Sequence, residues 1–197
     1  GGEILHCTRE SAGFKRLAHL EKQPLLGGDL ATRYPLRMAA GILNKVIDIE
    51  PWLMDHRRHF PHGEIEIQTI LNQLRGNHNI KETTSCGRIL DAVAAVLDIC
   101  YERTYEGEPA MKLESIAVKG KPVLKLEPIA KGDSLEITHM VHELFESKYK
   151  YSKPDLAYSA HLYLARGLSE LCIEKALEHE VKAVGSSGGA ACNEILA

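Results

Sequence analysis

An apolar helical segment with one acid inside it constrains the fold of this chain most strongly. From residue 83 the sequence runs TTSCGRILDAVAAVLDIC, with apolar residues every three or four positions, which is typical of a buried helix. Ser85 is a suitable N-cap, and small residues such as Gly87 let another backbone come close. Asp91 lies within this apolar stretch. An acid inside an apolar helix needs an explanation.

A turn and a second helical pattern follow. The turn has the sequence YEGEP over residues 105–109, and AMKLE continues it as a helix. One interpretation places Asp91 on the solvent edge of an ordinary core helix. The other places Asp91 and Glu108 in one cleft, where ionised carboxylates would accept hydrogen bonds from sugar hydroxyls. The spacing of the residues leaves both interpretations open.

The first eighty residues predict a hairpin followed by helices. Strands are predicted over residues 3–7 and 14–20, and one long helix over residues 31–49, with Pro35 in its first turn. Arg33 and Arg37 are four residues apart and would share a face of that helix. As a pair they could bind a phosphate or a carboxylate. The alternative is a solvated basic face, or ion pairs with neighbouring acids.

Three histidines precede an amphipathic pattern over residues 65–74. His56, His59 and His62 are spaced by three, and two histidines on one helical turn could bind a metal. Pro61 and Gly63 interrupt the helix, so we predict a polar surface loop. No metal is predicted for the chain itself.

The second half predicts one strand and two helices before the C-terminal segment. The strand is expected over residues 123–126, and the first helix runs from a cap at Asp133 or Ser134 to about residue 149. The second helix starts at SKPD, with Ser152 as N-cap, and extends to about residue 179. Leu156, Leu162, Leu164, Leu168, Leu171 and Ile173 are expected to face inward. His161 in this helix is expected to be a core or edge histidine.

The C-terminal segment predicts a phosphate site. A buried strand is expected over residues 181–184, followed by Gly188 and Gly189 and a helix that starts near residue 190 and carries Asn193. Glycines permit close approach of a phosphate to backbone N–H groups, and a helix N-terminus favours an anion. Paired glycines also occur in plain strand-to-helix turns, so this alternative stays open.

Composition excludes several classes of protein. The 197 residues are 44% apolar and 26% charged, which is ordinary globular usage. A net charge of −3 gives no strong attraction to nucleic acid or a membrane surface. The five cysteines have no C-x-x-C spacing, which favours reduced thiols and a cytoplasmic location. The chain starts Gly-Gly-Glu, so we expect it to be part of a longer protein.

Three separated segments resemble the HypF carbamoyltransferase family, in the family's order. SCGRILDAVAAVL…TYEGEPAMKLE resembles SSAGRLFDAVAALLG…TYEGEAAMALE, LLGGDLATRYPLRMAAGIL resembles LPGGDAAIREPRRMALGLL, and SGGAACNEIL resembles SGGVFQNRLL. The wider superfamily includes the TsaD tRNA-modification enzymes. The resemblance implies a set of nucleotide-binding residues: Gly87, Asp91, Gly107, Glu108, Gly188, Gly189 and Asn193.

The resemblance also implies a fold. This is an α/β, actin-like or sugar-kinase-like ATPase (ribonuclease H-like) lobe with mainly helical insertions. Residues 1–30 would end a first lobe with a hairpin, 31–82 would form a helical insertion, and 83–197 would form a second lobe with the nucleotide-binding helix and the glycine turn.

The implied function is carbamoyl transfer in nickel–iron hydrogenase maturation. HypF-type enzymes use ATP and carbamoyl phosphate, form carbamoyl-adenylate and pass the carbamoyl group to a cysteine thiol of a HypE-type partner. A divalent metal is expected only in the full-length protein, and this chain alone is expected to be inactive. The alternatives are another carbamoyl- or threonylcarbamoyl-transferase of the superfamily, or a non-catalytic nucleotide-binding remnant.

Overall fold

Two small sheets lie against a mainly helical core. The computed structural model describes residues 1–8, 13–76 and 80–197. Its strands are β1 (Glu3–Cys7), β2 (Phe14–Leu20), β3 (Gln23–Leu25), β4 (Lys81–Thr83), β5 (Ala130–Lys131) and β6 (Ser134–Leu135). One sheet has the order β1-β2-β6-β5, and the other pairs β3 with β4. Of the four strand pairs in the described residues, β2–β6 is parallel and the other three are antiparallel.

Helices make up most of the core. They are α1 (Asp29–Arg33), α2 (Pro35–Leu43), α3 (Glu50–Asp55), α4 (Gly63–Gly76), α5 (Cys86–Val96), α6 (Glu108–Ala117), α7 (Thr138–Ser147) and α8 (Lys153–Glu178). Helix α5 packs against α2, α6, α7 and α8. Every residue from Ile89 to Val96 is buried, and Ser85 caps the helix by accepting the Arg88 N–H. The predicted central helix is therefore confirmed.

Two antiparallel strand pairs, β1 with β2 and β3 with β4, organise the first part of the chain. The predicted hairpin of β1 and β2 is confirmed as an antiparallel pair. Strand β3 pairs with β4, with Gln23 opposite Thr83 and Leu25 opposite Lys81. The chain between them leaves this small sheet and returns to it.

The prediction of one long helix over residues 31–49 is wrong. The helix breaks at Tyr34, whose extended backbone (φ −116°, ψ 91°) precedes Pro35. Proline disfavours helical geometry in the residue before it and begins α2 where its missing N–H costs nothing. Helix α2 then ends at Leu43. Arg33 and Arg37 consequently lie on different helices and share no single helix face.

The strand predicted over residues 123–126 is also wrong. Residues 121–129 have no regular secondary structure. The backbone N–H groups of Val123 and Leu124 instead donate to Oγ of Ser159 on α8, at 3.2 and 3.4 Å. A side chain therefore satisfies donors that a neighbouring strand would otherwise have to satisfy.

Helix α7 starts later than predicted because its cap comes from a distant residue. Ser134 lies in β6, and neither it nor Asp133 caps α7, which begins at Thr138. The carboxylate of Glu21 accepts the backbone N–H groups of Ile137 and Thr138, at 2.8 and 2.7 Å, and the Thr138 hydroxyl. A carboxylate at a helix N-terminus satisfies orphan donors and complements the helix dipole.

Replacing Glu21 with alanine should therefore destabilise α7. Burial alone would raise the pKa of Glu21, but hydrogen bonds from Lys45, Thr138 and Ile137 lower it below its usual range. The contribution is thus present at neutral pH and fades as the pH falls below about 4.5. We expect a loss of about 1–3 kcal/mol in the free energy of unfolding by urea titration at pH 7. The exposed Glu127 is the control; an equal loss for Glu127→Ala would contradict the capping role.

The bounds of α8 agree with the prediction, but the segment that follows it does not have the predicted structure. Ser152 caps α8 by accepting the Asp155 N–H, and the helix ends at Glu178, as predicted. Ile173, expected inside, is 60% exposed. The strand expected over residues 181–184 is absent, and Val184 is 63% exposed. A strand needs a paired neighbour, and the described residues place none beside this segment.

The histidines after α3 are only partly a surface loop. His62 is exposed in a turn, but Arg57–His59 forms a 3₁₀ helix. The ring of His56 lies 2.8 Å from the Trp52 carbonyl and 3.3 Å from Asp98, and the His59 ring stacks on Tyr101. The prediction is therefore wrong for His56, which joins α3 to the end of α5.

Candidate functional site

Asp91 is fully buried within α5. Its exposed fraction is 0%, and an Arg88 Nη2 atom lies 2.8 Å from its Oδ2. Neither carboxylate oxygen accepts a well-formed hydrogen bond from a described residue. Arg88 Nη1 also donates to the Thr32 carbonyl, which holds the guanidinium between α1 and α5. Asp91 therefore lies neither on a solvent edge nor, in this structure, in an open cleft.

The environment of Asp91 disfavours its charge. Burial raises the pKa of Asp91 to about 6, and the guanidinium groups of Arg88 and Arg103 and the Ala110 backbone N–H limit that rise. Ala110 lies in the first turn of α6, so the carboxylate faces the start of that helix. A buried carboxylate that accepts no well-formed hydrogen bond and has a shifted pKa is a candidate functional group.

Glu108 lies at the start of α6 and is held by its neighbours. Gly107 precedes it with φ 78°, in the left-handed region that favours glycine. The Glu108 carboxylate accepts the N–H and hydroxyl of Thr104, at 2.6 and 2.8 Å, and pairs with Lys112 at 2.6 Å. These bonds from Lys112 and Thr104 lower the pKa of Glu108 to about 2. Glu108 is therefore already satisfied within the protein.

The glycine segment, residues 188–192, does not have the predicted strand–turn–helix geometry. Gly188 and Gly189 lead into a short 3₁₀ helix, Gly189–Cys192, which contacts α5. Gly188 has φ 94°, and an added Cβ at either glycine would meet no atom within 4 Å. On α5 itself, a Cβ at Gly87 would meet only the Ser85 hydroxyl, at 3.8 Å. The fold therefore leaves open space at all three glycines and brings the glycine segment to the helix of Asp91.

Asn193 follows the 3₁₀ helix and is buried. Its Nδ2 atom lies 3.1 Å from Nε2 of His161 on α8, and its Oδ1 accepts the backbone N–H groups of Ile195 and Leu196. His161 is fully buried, so of the two predicted placements, core or edge, the core placement is confirmed. Asn193, like Glu108, thus has protein partners for its polar atoms.

The two arginines predicted as an anion-binding pair bind carboxylates separately. Arg37 pairs with the buried Glu66, and its Nη1 donates to the Leu26 carbonyl. Arg33 pairs with Glu102 at 3.0 Å on the surface. This arrangement matches the alternative interpretation, ion pairs with neighbouring acids, and the structure does not bring the two arginines together.

Sequence reasoning missed several partners of these groups. Arg88 precedes Asp91 by three residues and Lys112 follows Glu108 by four, and both spacings place side chains together on a helix face. Those spacings could have identified both. Glu66 is 29 residues from Arg37, and no local pattern points to it.

Two classes of feature are not found in the described part of the chain. Residues 1–8, 13–76 and 80–197 contain no group of three or more His, Cys, Asp or Glu side chains placed to hold a metal ion. Over the same ranges, no helix is both long and apolar enough to cross a membrane.

Comparison with known proteins defines the class. The family model "Carbamoyltransferase, Kae1-like Domain, second subdomain" matches residues 1–197. The chain therefore belongs to the HypF carbamoyltransferase family, as a C-terminal region of such proteins, and the resemblance seen in the sequence is confirmed.

Individual relatives agree with this assignment. The chain is 39% identical over 197 residues to the probable carbamoyltransferase HypF of Methanocaldococcus jannaschii and 33% identical over 205 residues to the carbamoyltransferase HypF of Rhodobacter capsulatus. Each match covers 100% of this chain and 25% of the relative. The chain thus spans about a quarter of the length of these relatives.

Solved structures share the mixed α/β fold. The crystal structure of T. kodakarensis HypF matches with a TM-score of 0.84 and 43% identity, over 93% of this chain and 25% of that chain. A full-length HypF in the phosphate- and nucleotide-bound form matches with a TM-score of 0.84 and 26% identity, over 98% and 30%.

Proposed function

We propose that this region binds ATP or carbamoyl-adenylate as part of a HypF-type carbamoyltransferase. The observation that carries the proposal is Asp91, a fully buried carboxylate that pairs with Arg88 but accepts no well-formed hydrogen bond, on the helix that contacts both α6 and the glycine segment. Ribose hydroxyls are donors that could complete the hydrogen bonding of this carboxylate. A solved relative in a phosphate- and nucleotide-bound form supports the choice of ligand.

Each proposed residue has a role that its surroundings allow. Gly188 and Gly189 would bring backbone N–H groups to a phosphate, since open space surrounds both. Gly87 would let the ligand approach the first turn of α5. Asp91 would bind the ribose after the start of α6 moves aside, because that carboxylate is buried and faces Ala110 in the first turn of that helix.

Three of the proposed residues have structural roles in the site as it stands: Gly107, Glu108 and Asn193. Gly107 supplies the left-handed turn, and the Glu108 carboxylate stabilises that turn by accepting the Thr104 N–H. For direct contact with nucleotide, Glu108 or Asn193 would have to exchange protein partners for ligand atoms. Arg33 and Arg37 are already paired, so we assign them no anion.

The chemistry we propose is carbamoyl transfer from carbamoyl phosphate, through carbamoyl-adenylate, to a cysteine thiol of a HypE-type partner in hydrogenase maturation. This region would position the adenylate and stabilise the charge that develops on the leaving phosphate. Five unpaired cysteines agree with a reducing, cytoplasmic location.

The proposed fold is an actin-like ATPase lobe. Pairing of β3 with β4 supports the treatment of residues 31–82 as a helical insertion, because the chain leaves and returns at one small sheet. Residues 1–30 would end the first lobe, and residues 83–197 would form the second.

A valine at Gly189 tests the phosphate role. Because a Cβ there meets no atom within 4 Å, Gly189→Val should leave the thermal midpoint nearly unchanged. It should weaken ATP binding about tenfold or more, since the side chain would keep a phosphate from the backbone. Isothermal titration with ATP and a carbamoyl-transfer assay, on the native full-length protein, measure both effects.

Gly185→Val is the matched control for that variant. Gly185 is equally open and lies in the same exposed segment, but outside the proposed site. Its substitution should change neither ATP affinity nor stability. A large stability loss in Gly189→Val with normal ATP affinity would show that the glycine serves the turn alone.

A further inference from the structure

A short chain of hydrogen bonds fixes the orientation of the Asn193 amide. Nδ1 of His161 lies 2.8 Å from the Ala157 carbonyl, one turn earlier in α8. A carbonyl only accepts, so Nδ1 carries the proton, and Nε2 of the neutral ring is an acceptor. The Asn193 NH₂ group donates to that Nε2 at 3.1 Å.

The other end of the same amide holds the backbone that follows. Asn193 Oδ1 accepts the N–H groups of Ile195 and Leu196, at 3.1 Å each. If the amide turned over, its oxygen would face the ring acceptor and its NH₂ would face two N–H donors. One neutral histidine thus selects one orientation of Asn193.

We propose that His161 is a positioning residue: it orients Asn193 and so holds the segment after the glycine turn, residues 189–196, against α8. The proposal rests on the proposed function, because it treats this segment as part of a nucleotide site. It assigns His161 a role without placing it in contact with a ligand.

The electrostatic surroundings keep the ring neutral at pH 7. Burial lowers the pKa of His161, while the bond to Ala157 and the charge of Glu114 on α6 oppose that shift. Glu114 is itself tied to the segment, since its Oε1 accepts the Glu194 N–H at 2.8 Å. Helices α6 and α8 therefore both hold residues 189–196.

Protonation of His161 should release this segment. A second N–H on the ring would point at the Asn193 NH₂ group, so the amide must turn and give up the N–H groups of Ile195 and Leu196. Since folding lowers the histidine pKa, the unfolded or released state binds more protons. The attachment is complete above about pH 6.5, and weakens as the pH falls below it.

The test uses three variants of the native full-length protein. His161→Leu removes the acceptor, while His161→Gln keeps an amide oxygen that can accept from Asn193 but does not titrate. His142→Gln is the control, because His142 is a half-buried histidine on α7 that lies beside Glu146. Hydrogen-exchange protection of the Ile195 and Leu196 amides reports on the segment, and ATP titration reports on the site.

We expect His161→Leu to lower ATP affinity and this amide protection about tenfold at pH 7.5, the loss of a buried hydrogen bond. His161→Gln and His142→Gln should keep both near the wild-type values. Between pH 7.5 and 5.0 the protection should fall in wild type and stay constant in His161→Gln. Protection is compared because Asp91, with a pKa of about 6, also titrates in this range and would affect ATP affinity.

The outcomes separate this proposal from the proposed function. Unchanged protection and affinity in His161→Leu would overturn the role of His161 while ATP binding stands. Absence of ATP binding in wild type would defeat the proposed function, and the protection measurements would still test the contact between His161 and Asn193. If His161→Leu fails to fold, the pH dependence of wild type against His161→Gln decides the matter: equal slopes overturn the proposal.

Discussion

Replacing Glu66 with alanine is expected to lower the free energy of unfolding by about 3–5 kcal/mol, because it leaves a buried guanidinium without its partner. Glu66 Oε1 lies 2.9 Å from Nε and 2.6 Å from Nη2 of Arg37, and the two side chains are only 4% and 7% exposed. Glu66 Oε2 also accepts the His62 N–H, so the same change loosens the start of α4. Urea titration of the native protein measures the loss.

The exposed pair formed by Arg33 and Glu102 supplies the matched control. Its side chains are largely solvated, and surface ion pairs contribute about 0–1 kcal/mol. Glu102→Ala should therefore change stability by less than about 1 kcal/mol. The burial argument would be contradicted if Glu66→Ala and Glu102→Ala lost similar amounts.

Replacing Asp91 with asparagine is expected to weaken ATP binding by about 1–3 kcal/mol while leaving the fold as stable as wild type or more so at pH 7.5. The folded pKa of about 6 lies above the unfolded value of 3.8, so folding binds a proton between them. Stability from this group therefore falls as the pH rises from about 4 to about 6, and the full cost of the buried charge remains above that range. A neutral side chain of the same shape removes this cost. Arg88 would keep its bond to the Thr32 carbonyl and an asparagine oxygen beside it, so its guanidinium would not be left without an acceptor.

Asp98 offers a control of opposite sign, just beyond the end of α5. Burial would raise its pKa, but hydrogen bonds from His56 and Tyr101 and the charge of Lys148 lower it to about 2. Asp98→Asn should therefore lower the thermal midpoint at pH 7.5 and leave ATP affinity unchanged. A lower midpoint with normal ATP affinity in Asp91→Asn would instead show that Asp91 serves only the fold.

Local patterns in the sequence were enough to predict the elements with strong local signals. Helix α5 follows from its apolar spacing and the Ser85 cap, and α8 from Ser152, Pro154 and Asp155 at its start. The β1–β2 hairpin follows from two short apolar runs around a glycine. Each of these elements carries its own stop or start signal within a few residues.

Contacts between distant residues could not be predicted in this way. Glu21 caps α7 from more than a hundred residues away, and the presence of Glu66 beside Arg37 depends on how α4 packs against α2. The strand expected near Val184 failed because pairing, and not apolar character alone, makes a strand. The complete burial of Asp91 depends on α6, which covers it, and periodicity does not reveal that.

Hydrogen exchange of the native full-length protein with and without ATP tests most directly whether this region forms a nucleotide site. We predict that ATP increases the protection of the amides at residues 188–191, where the phosphates would lie. It should also change exchange at residues 108–112, the start of α6, which must move to admit a ribose to Asp91. ATP binding that alters exchange in neither segment would contradict the account.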